Sequence, residues 1–394
     1  MQQADLLSPE HQPQPGGGWS EGITTLAGAY VVPPCESALV QAAGVLHADG
    51  RYCAEGALWR RYRPITTSPP RPDDGVEQLP GRWLWGGVLW AHFGHFLVES
   101  SSRLWALAHL EQPVDGILFI PKRPATGAAT RGFQHEFLGL MAPGLPLKVA
   151  DHALQAEQLV VPGQGFGLGR ITAGTRRFRN AFHSRFARDV AAEGPEKLYI
   201  SRSKLGLGKG GLLGEEQMED LLRAEGYEIF HPQEHSLSTQ LARYKAARQV
   251  VAADGSALHL YAMVGRPDQK VAMVLRRQAG ANNLLADHVA HFCRCDPLVI
   301  DALRTEWVPA HKQKSSRLSF GELNLAAIGT ALAGQDFIAR GAAWPELSDA
   351  DRQRILDAKG LGGNSAFTEA PEARRQRIRA LRHARRARRA EAQA

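Results

Sequence analysis

From Lys197 onward, short apolar runs alternate with amphipathic stretches. Leu198–Ser201, Glu228–His231, Gln249–Ala253 and Lys270–Leu275 read as buried strands. Between them, Gly214–Glu225, Leu237–Ala247 and Ser256–Val264 repeat apolar residues at helical spacing. Gly226 stands where a helix ends in glycine, and Ser236 and Ser238 are both placed to cap the helix after Pro232. Strands alternating with helices in this way predict a parallel sheet with crossover helices. Such sheets bind ligands beyond the carboxyl ends of their strands. Here those ends carry Arg202, Lys204 and Lys209 in a glycine-rich loop, and the Gly255-Ser256 turn. Arginine grips phosphate bidentately, and glycine lets the backbone come close, so this set suits a phosphate-bearing ligand.

The first half is less regular. Ala27–Val32 and Ala57–Tyr62 read as short strands, joined by a Pro- and Asp-rich connection over Pro64–Pro80 to an aromatic, glycine-broken strand at Trp83–Trp90. Gly94–Leu110 has one apolar face and reads as a helix, as does Phe133–Met141. Gly116–Pro121 is wholly apolar, the pattern of a parallel strand covered on both faces. Gln158–Val161 reads as a further strand, and Thr175–Glu193 as a basic amphipathic helix. Glycines 163, 165, 167 and 169 between these two mark the expected junction of two domains, and 394 residues is more than a single core usually serves. The expected divisions are a disordered N-terminus (1–22), a first domain (23–165), a second domain built on the parallel sheet (166–310), a C-terminal helical segment (311–370) and an Arg-rich tail (371–394).

Charge changes the picture once it is divided along the chain. The formal net charge is +7, and residues 371–394 alone hold nine Arg against Glu372 and Glu391. The remaining body carries 38 basic and 38 acidic side chains, so any anion site there is local rather than the product of a global field. Cys35, Cys53, Cys293 and Cys295 are too few for a disulfide framework. Cys293 and Cys295 have His288 and His291 nearby, yet no second ligand pair at zinc spacing, and reduced thiols are the expectation. The N-terminus lacks the basic start and apolar run of a signal peptide, and no apolar run is long enough to span a bilayer. A cytoplasmic location is expected.

His95, Glu99 and Arg103 fall at i, i+4 and i+8 on one expected helix stripe, with His92 just before them. A carboxylate beside an imidazole holds one tautomer and raises its basicity. Taken alone, the set is equally a structural ladder. Gly206-x-Gly208-x-x-Gly211 matches the dinucleotide fingerprint, but residues 202–205 intervene after the strand and the second strand ends in His231-Pro232 without a carboxylate. An NAD-dependent dehydrogenase is therefore a minor alternative.

Two blocks resemble glycosyltransferase family 61, whose bacterial members are often described as capsular polysaccharide biosynthesis proteins. One is His95-Phe96-Leu97-Val98-Glu99 followed by Arg103-Leu104-Trp105. The other spans Leu198–Leu260, with its Tyr-Ile-Ser-Arg strand end, Glu215 or Glu216 opening a helix, Gly226-Tyr227, His231-Pro232 and Gly255-Ser256-Ala257-Leu258-His259. The resemblance implies an α/β, GT-B-like fold: two Rossmann-like parallel-sheet domains facing a cleft, here followed by C-terminal helices and the basic tail. It implies an inverting transfer from a nucleotide-sugar donor to a glycan or lipid-linked glycan acceptor in surface polysaccharide biosynthesis, without a bound metal or other cofactor. It makes His95 and Glu99 the expected catalytic pair. Arg202, Lys204, Lys209, Gly255, Ser256 and His259 become expected donor ligands, and Arg103 an expected acceptor ligand. The chain departs from the family pattern at Gly210–Gly214, where many members carry Arg and Asn, and at Asp254, where many carry His. Asp254 beside a diphosphate would repel it, so it is expected to cap the helix at Ser256 instead. These departures motivate a second alternative, a non-catalytic sugar- or nucleotide-binding protein of the same fold. The Arg tail admits electrostatic contact with an anionic membrane at the inner face, non-specific nucleic-acid contact, or solvation without a partner, and no specific nucleic acid is expected.

Overall fold

The structure, a computed structural model, describes residues 18–372 except 62, 74, 170, 279, 280 and 362–365, together with 375, 378 and 379. Residues 1–17 of the expected disordered start and most of the Arg-rich tail lie outside the described residues, while Gly18–Glu21, also expected to be disordered, form a 3-10 turn. Within them the protein is mixed α/β, with three main sheets.

The first sheet has six strands in the order Gly44–Leu46, Ile23–Val32, Leu154–Pro162, Glu77–Leu89, Gly116–Pro121, Leu147–Val149. Its last four are mutually parallel, while Ile23–Val32 runs antiparallel to both neighbours. The sheet is thus mixed rather than wholly parallel. All six residues of Gly116–Pro121 are buried, as its unbroken apolar run requires. Glu77–Leu89 begins within the expected Pro-rich connection. Pro80 cannot donate to a ladder, and the register slips there, between Ala156 and Gln158 of the partner strand. A second slip between Trp85 and Gly87 accounts for the glycine-broken pattern.

The second sheet is all parallel, in the order Glu228–Phe230, Lys197–Ile200, Gln249–Ala253, Lys270–Val274, Leu298–Ile300. The expected crossover helices are present as Glu215–Ala224, Leu237–Ala246 and Ala257–Ala262, with Ser236 capping the second through the Thr239 N–H. Beyond Pro297 strands appear as well as helices. Leu303–Pro309, Phe320–Leu323 and Phe367–Glu369 join Gly211–Leu213 in a third sheet, which pins the end of the basic loop that starts at Arg202. The expected 311–370 helical segment does hold two helices, Leu325–Gly334 and Asp349–Ala358.

Two expected helices are corrected. Gly94–Leu110 breaks into a short α turn at Phe93–His95, a π turn at Phe96–Ser100 and a 3-10 segment at Leu104–Ala108. The basic helix runs only over Arg176–Arg185, capped by Thr175 and ended by extended backbone at Phe186. One apolar cluster packs the two large sheets together, running from Phe96, Trp105 and Phe119 through Phe137 and Phe182 to Leu258. Separate clusters cover the outer face of each sheet.

Candidate functional site

The π turn dictates how His95 and Glu99 are presented. Glu99 is buried, and its carboxylate accepts a hydrogen bond from His95 Nδ1 at 2.8 Å. Arg60 grips the same carboxylate bidentately, with Nε and Nη2 each 2.9 Å from an oxygen. Burial would raise the Glu99 pKa, but the hydrogen bonds from His95 and Arg60 outweigh it and hold the group below the usual carboxylate value. Glu99 is therefore ionised. A carboxylate accepting from Nδ1 fixes the imidazole proton there and leaves Nε2 as the basic nitrogen. Trp90 stacks on the ring, with centroids 4.6 Å apart, and the Arg60 guanidinium lies 5.3 Å from the Trp90 ring centroid. The imidazole is held from its edge and its face, yet 32% of the side chain stays exposed, enough to meet a ligand.

Arg103 does not join this group. The π turn and the 3-10 segment rotate it off the stripe that a regular helix would have made. Its guanidinium is buried and donates to the carbonyls of Glu55 at 2.8 Å, Ala57 at 2.7 Å and also Pro162. It ties the segment to the first sheet, and an enclosed guanidinium cannot reach an acceptor. The arginine of the triad is Arg60, which lies 39 residues away in sequence from Glu99 and which sequence reasoning missed.

On the second sheet, Arg202 follows the Lys197–Ile200 strand. Its backbone N–H donates to Glu215 Oε1 at 2.7 Å, and its Nη2 to the Lys209 carbonyl at 3.1 Å. Its Nε is buried without a partner. Burial, and then the neighbouring Arg276, lower its pKa to about 10, so it remains charged at neutral pH. Arg276 and Arg277 follow the Lys270–Val274 strand, and Arg277 also has a buried, unpartnered Nε. Basic residues at the end of a fourth parallel strand were legible in the sequence but were not picked out.

Asp254 corrects an expectation. It is buried, and its Oδ1 lies 2.6 Å from Arg276 Nε, as an ion pair without hydrogen-bond alignment. The Ala257–Ala262 helix has no side-chain cap. Asp254 therefore lowers the positive charge of the arginine cluster instead of capping. Lys204 pairs with Glu234 at the surface, 3.1 Å apart. Gly210 has φ +63°, and a Cβ there would come within 2.6 Å of the Arg317 and Ser319 carbonyls. The loop can follow this path only with glycine at position 210, so a larger residue there would not fit this backbone.

The two halves of the site meet at Gly94. A Cβ on Gly94 would sit 2.5 Å from Ser256 Oγ, and one on Gly255 would sit 2.7 Å from Arg202 Nη1. His95, the Gly255-Ser256 turn and Arg202 therefore form one continuous surface. His92 is pushed down to about 4, by burial first and then by His95, Arg317 and Lys209, so Lys209 also acts across the seam. His259 is likewise held at about 4, by burial and by His95, and it meets His288 Nδ1 to Nδ1 at 2.8 Å. Both partners of that pair are neutral. The four cysteines are free, and among the described residues no three His, Cys, Asp or Glu side chains group as metal ligands would. No helix among them is long and apolar enough to cross a membrane.

The dinucleotide-like glycines behave differently from a cofactor loop. Residues 207–209 make a 3-10 turn, Gly211 starts a strand, and the helix begins only at Glu215. No glycine of the motif opens a helix, which removes the physical basis of the dehydrogenase alternative.

No curated protein matches the chain. The protein-family model described as Glycosyltransferase 61 does match, over residues 93–271, from the Phe93–His95 turn to the start of the fourth parallel strand. That span holds His95, Glu99, Arg202 and the Gly255-Ser256 turn, and over it the chain is similar to glycosyltransferase family 61.

Proposed function

We propose that this protein transfers a sugar from a nucleotide diphosphate donor to a hydroxyl of a glycan or lipid-linked glycan, in a GT-B-like arrangement and in the service of surface polysaccharide synthesis. One observation carries the reading: a carboxylate-held imidazole abuts a turn and an arginine cluster at the carboxyl ends of a parallel sheet, with Gly94 against Ser256. The diphosphate lies against Arg202, Arg276, Arg277 and Lys209, with the Gly255-Ser256 backbone beside it. These cations stabilise the charge that grows on the leaving phosphate oxygen as the glycosidic bond breaks. His95 Nε2 accepts the proton of the acceptor hydroxyl as its oxygen attacks the anomeric carbon. Glu99 and Arg60 keep the imidazole in that tautomer. One base and one direct attack give inversion. The guanidinium and ammonium groups stand where a metal would otherwise neutralise phosphate, so the transfer needs none.

Asp254 favours a second reading. By pairing with Arg276 it removes one cation from the diphosphate, as in a protein that binds nucleotides without turnover. A panel of UDP-, GDP- and CMP-sugars with EDTA present separates the two. Transfer predicts nucleotide release with acceptor and a raised melting temperature. Binding alone predicts only the raised melting temperature. Neither effect with any donor removes both readings. Within the first, Arg202→Ala weakens diphosphate binding about 10- to 100-fold and leaves nucleoside binding nearly unchanged, as a lost charge-assisted contact should. Equal losses for both ligands, measured by calorimetry, would take Arg202 out of the donor site.

A further inference from the structure

At the opposite edge of the parallel sheet lies a cavity of about 580 Å³, within the range of small-molecule sites (roughly 300–1,000 Å³). Its walls come from the segments that precede the strands: Lys245 before Gln249–Ala253, Gly265–Pro267 before Lys270–Val274, and Val190 to Ala192 before Lys197–Ile200. The arginine cluster lies beyond the other ends of the same strands. A five-residue strand such as Gln249–Ala253 separates the two by roughly 16 Å.

The cavity has two chemistries. Phe186, Val190, Met263, Val264 and Phe292 make it apolar. Four cations, Arg188, Lys245, Arg266 and Arg294, line it, and no carboxylate does. Arg266 is neutralised by Asp268, 3.0 Å away, and Arg188 lies 3.6 Å from Asp189. Lys245 donates to the Ala187 and Val190 carbonyls at 2.5 and 2.8 Å, which leaves one of its three N–H groups for a ligand. The positive field of Arg294 is felt by Arg179 and His183, whose pKa values are lowered by burial and then by Arg294. Asp189 offsets part of the Lys245 charge as well, while Arg294 has no carboxylate partner among the described residues. An apolar chain fits the walls, and an anionic head fits the positive charge at Arg294.

We propose that this cavity binds a single-chain anionic amphiphile, an aliphatic chain ending in a phosphate head, at a site separate from the transfer chemistry. The chain would lie against Phe186, Val264 and Phe292, with the phosphate between Arg294 and Lys245. Occupied in this way, the cavity would hold the protein at a lipid surface by the edge opposite its substrate site.

The test is calorimetric titration of the full chain below the micelle concentration of each probe. Dodecyl phosphate should bind one to one, dodecyl maltoside at least ten-fold more weakly, and inorganic phosphate and dodecyltrimethylammonium not measurably. Arg294→Glu, an exposed position, should weaken dodecyl phosphate binding ten-fold or more, and Val264→Trp should abolish it by filling the cavity. Nucleotide binding should be the same in both variants, so failure here is separable from failure of the transfer reading. Equal binding of dodecyl phosphate and dodecyl maltoside, or no loss with Arg294→Glu, overturns the proposal. So does binding of inorganic phosphate as tight as that of dodecyl phosphate. If Val264→Trp does not fold, the Arg294→Glu comparison decides alone.

Discussion

At the scale of single residues, the site rests on which groups touch which. If His95 takes the acceptor proton, His95→Ala lowers turnover by about 10²–10⁴-fold while nucleotide affinity holds. Glu99→Gln gives a smaller loss, because an amide still accepts from Nδ1 but lends less basicity. Initial rates against pH for both variants, with melting temperatures, check this. An unfolded His95→Ala protein with no specific rate defect would make the triad structural. Arg103 makes a contrasting case. Arg103→Ala strands three buried carbonyls and should cost on the order of 3 kcal/mol of stability. The folded fraction should keep its turnover, and urea unfolding alongside rates would expose a catalytic role if turnover fell instead. His95 and Glu99 were legible because four-residue spacing brings neighbours together on any helix-like turn. Arg60 was not, because nothing local marks a contact made between segments 39 residues apart.

At the scale of elements, the loop from Ser201 to Gly214 shows how buried charge shapes a binding segment. Glu215 lies beneath it, accepting from the Tyr199 hydroxyl at 2.9 Å and the Arg202 N–H at 2.7 Å, with Oε2 unpartnered. Burial pushes its pKa up from 4.5 to about 7, against the lowering effect of the Arg202 hydrogen bond. The folded state therefore holds this proton more tightly than the unfolded chain. The resulting stability is fully present below pH 4.5 and is lost as pH rises through about 7. Glu215→Gln lacks that titration, so its melting temperature relative to the natural protein should climb between pH 5 and 8. Parallel melting curves across that range would show that Glu215 does not titrate there. The strands around this loop were read nearly to the residue, since unbroken apolar runs in a parallel sheet leave few alternatives. The π turn after His95 and the strands beyond Pro297 were not, because short segments take their form from the surfaces they pack on.

At the scale of the whole molecule, the seam between the first and second sheets makes the site. Gly94→Ala would place a methyl group 2.5 Å from Ser256 Oγ and 3.3 Å from its Cβ, forcing the two surfaces apart. It should lower both stability and turnover. Ser256→Gly in the same chain should restore most of the loss, a coupling of about 1 kcal/mol or more in a double-mutant cycle. Additive effects would mean that the seam yields without consequence. The aromatic cluster from Phe96 to Phe182 holds this seam, so its separation is set by ring packing rather than by a hinge.

The sequence by itself determined the α/β class, the parallel second sheet, cations at its strand ends and the family likeness over residues 93–271. Periodicity and strand-end chemistry are local, and a chain displays them wherever it folds. Only the tertiary structure decided that Arg60 and not Arg103 completes the triad, that Asp254 pairs with Arg276, and that Gly94 meets Ser256. Each is a contact between segments far apart along the chain or on different sheets. Such contacts depend on how sheets stack and loops cross, which no local pattern encodes.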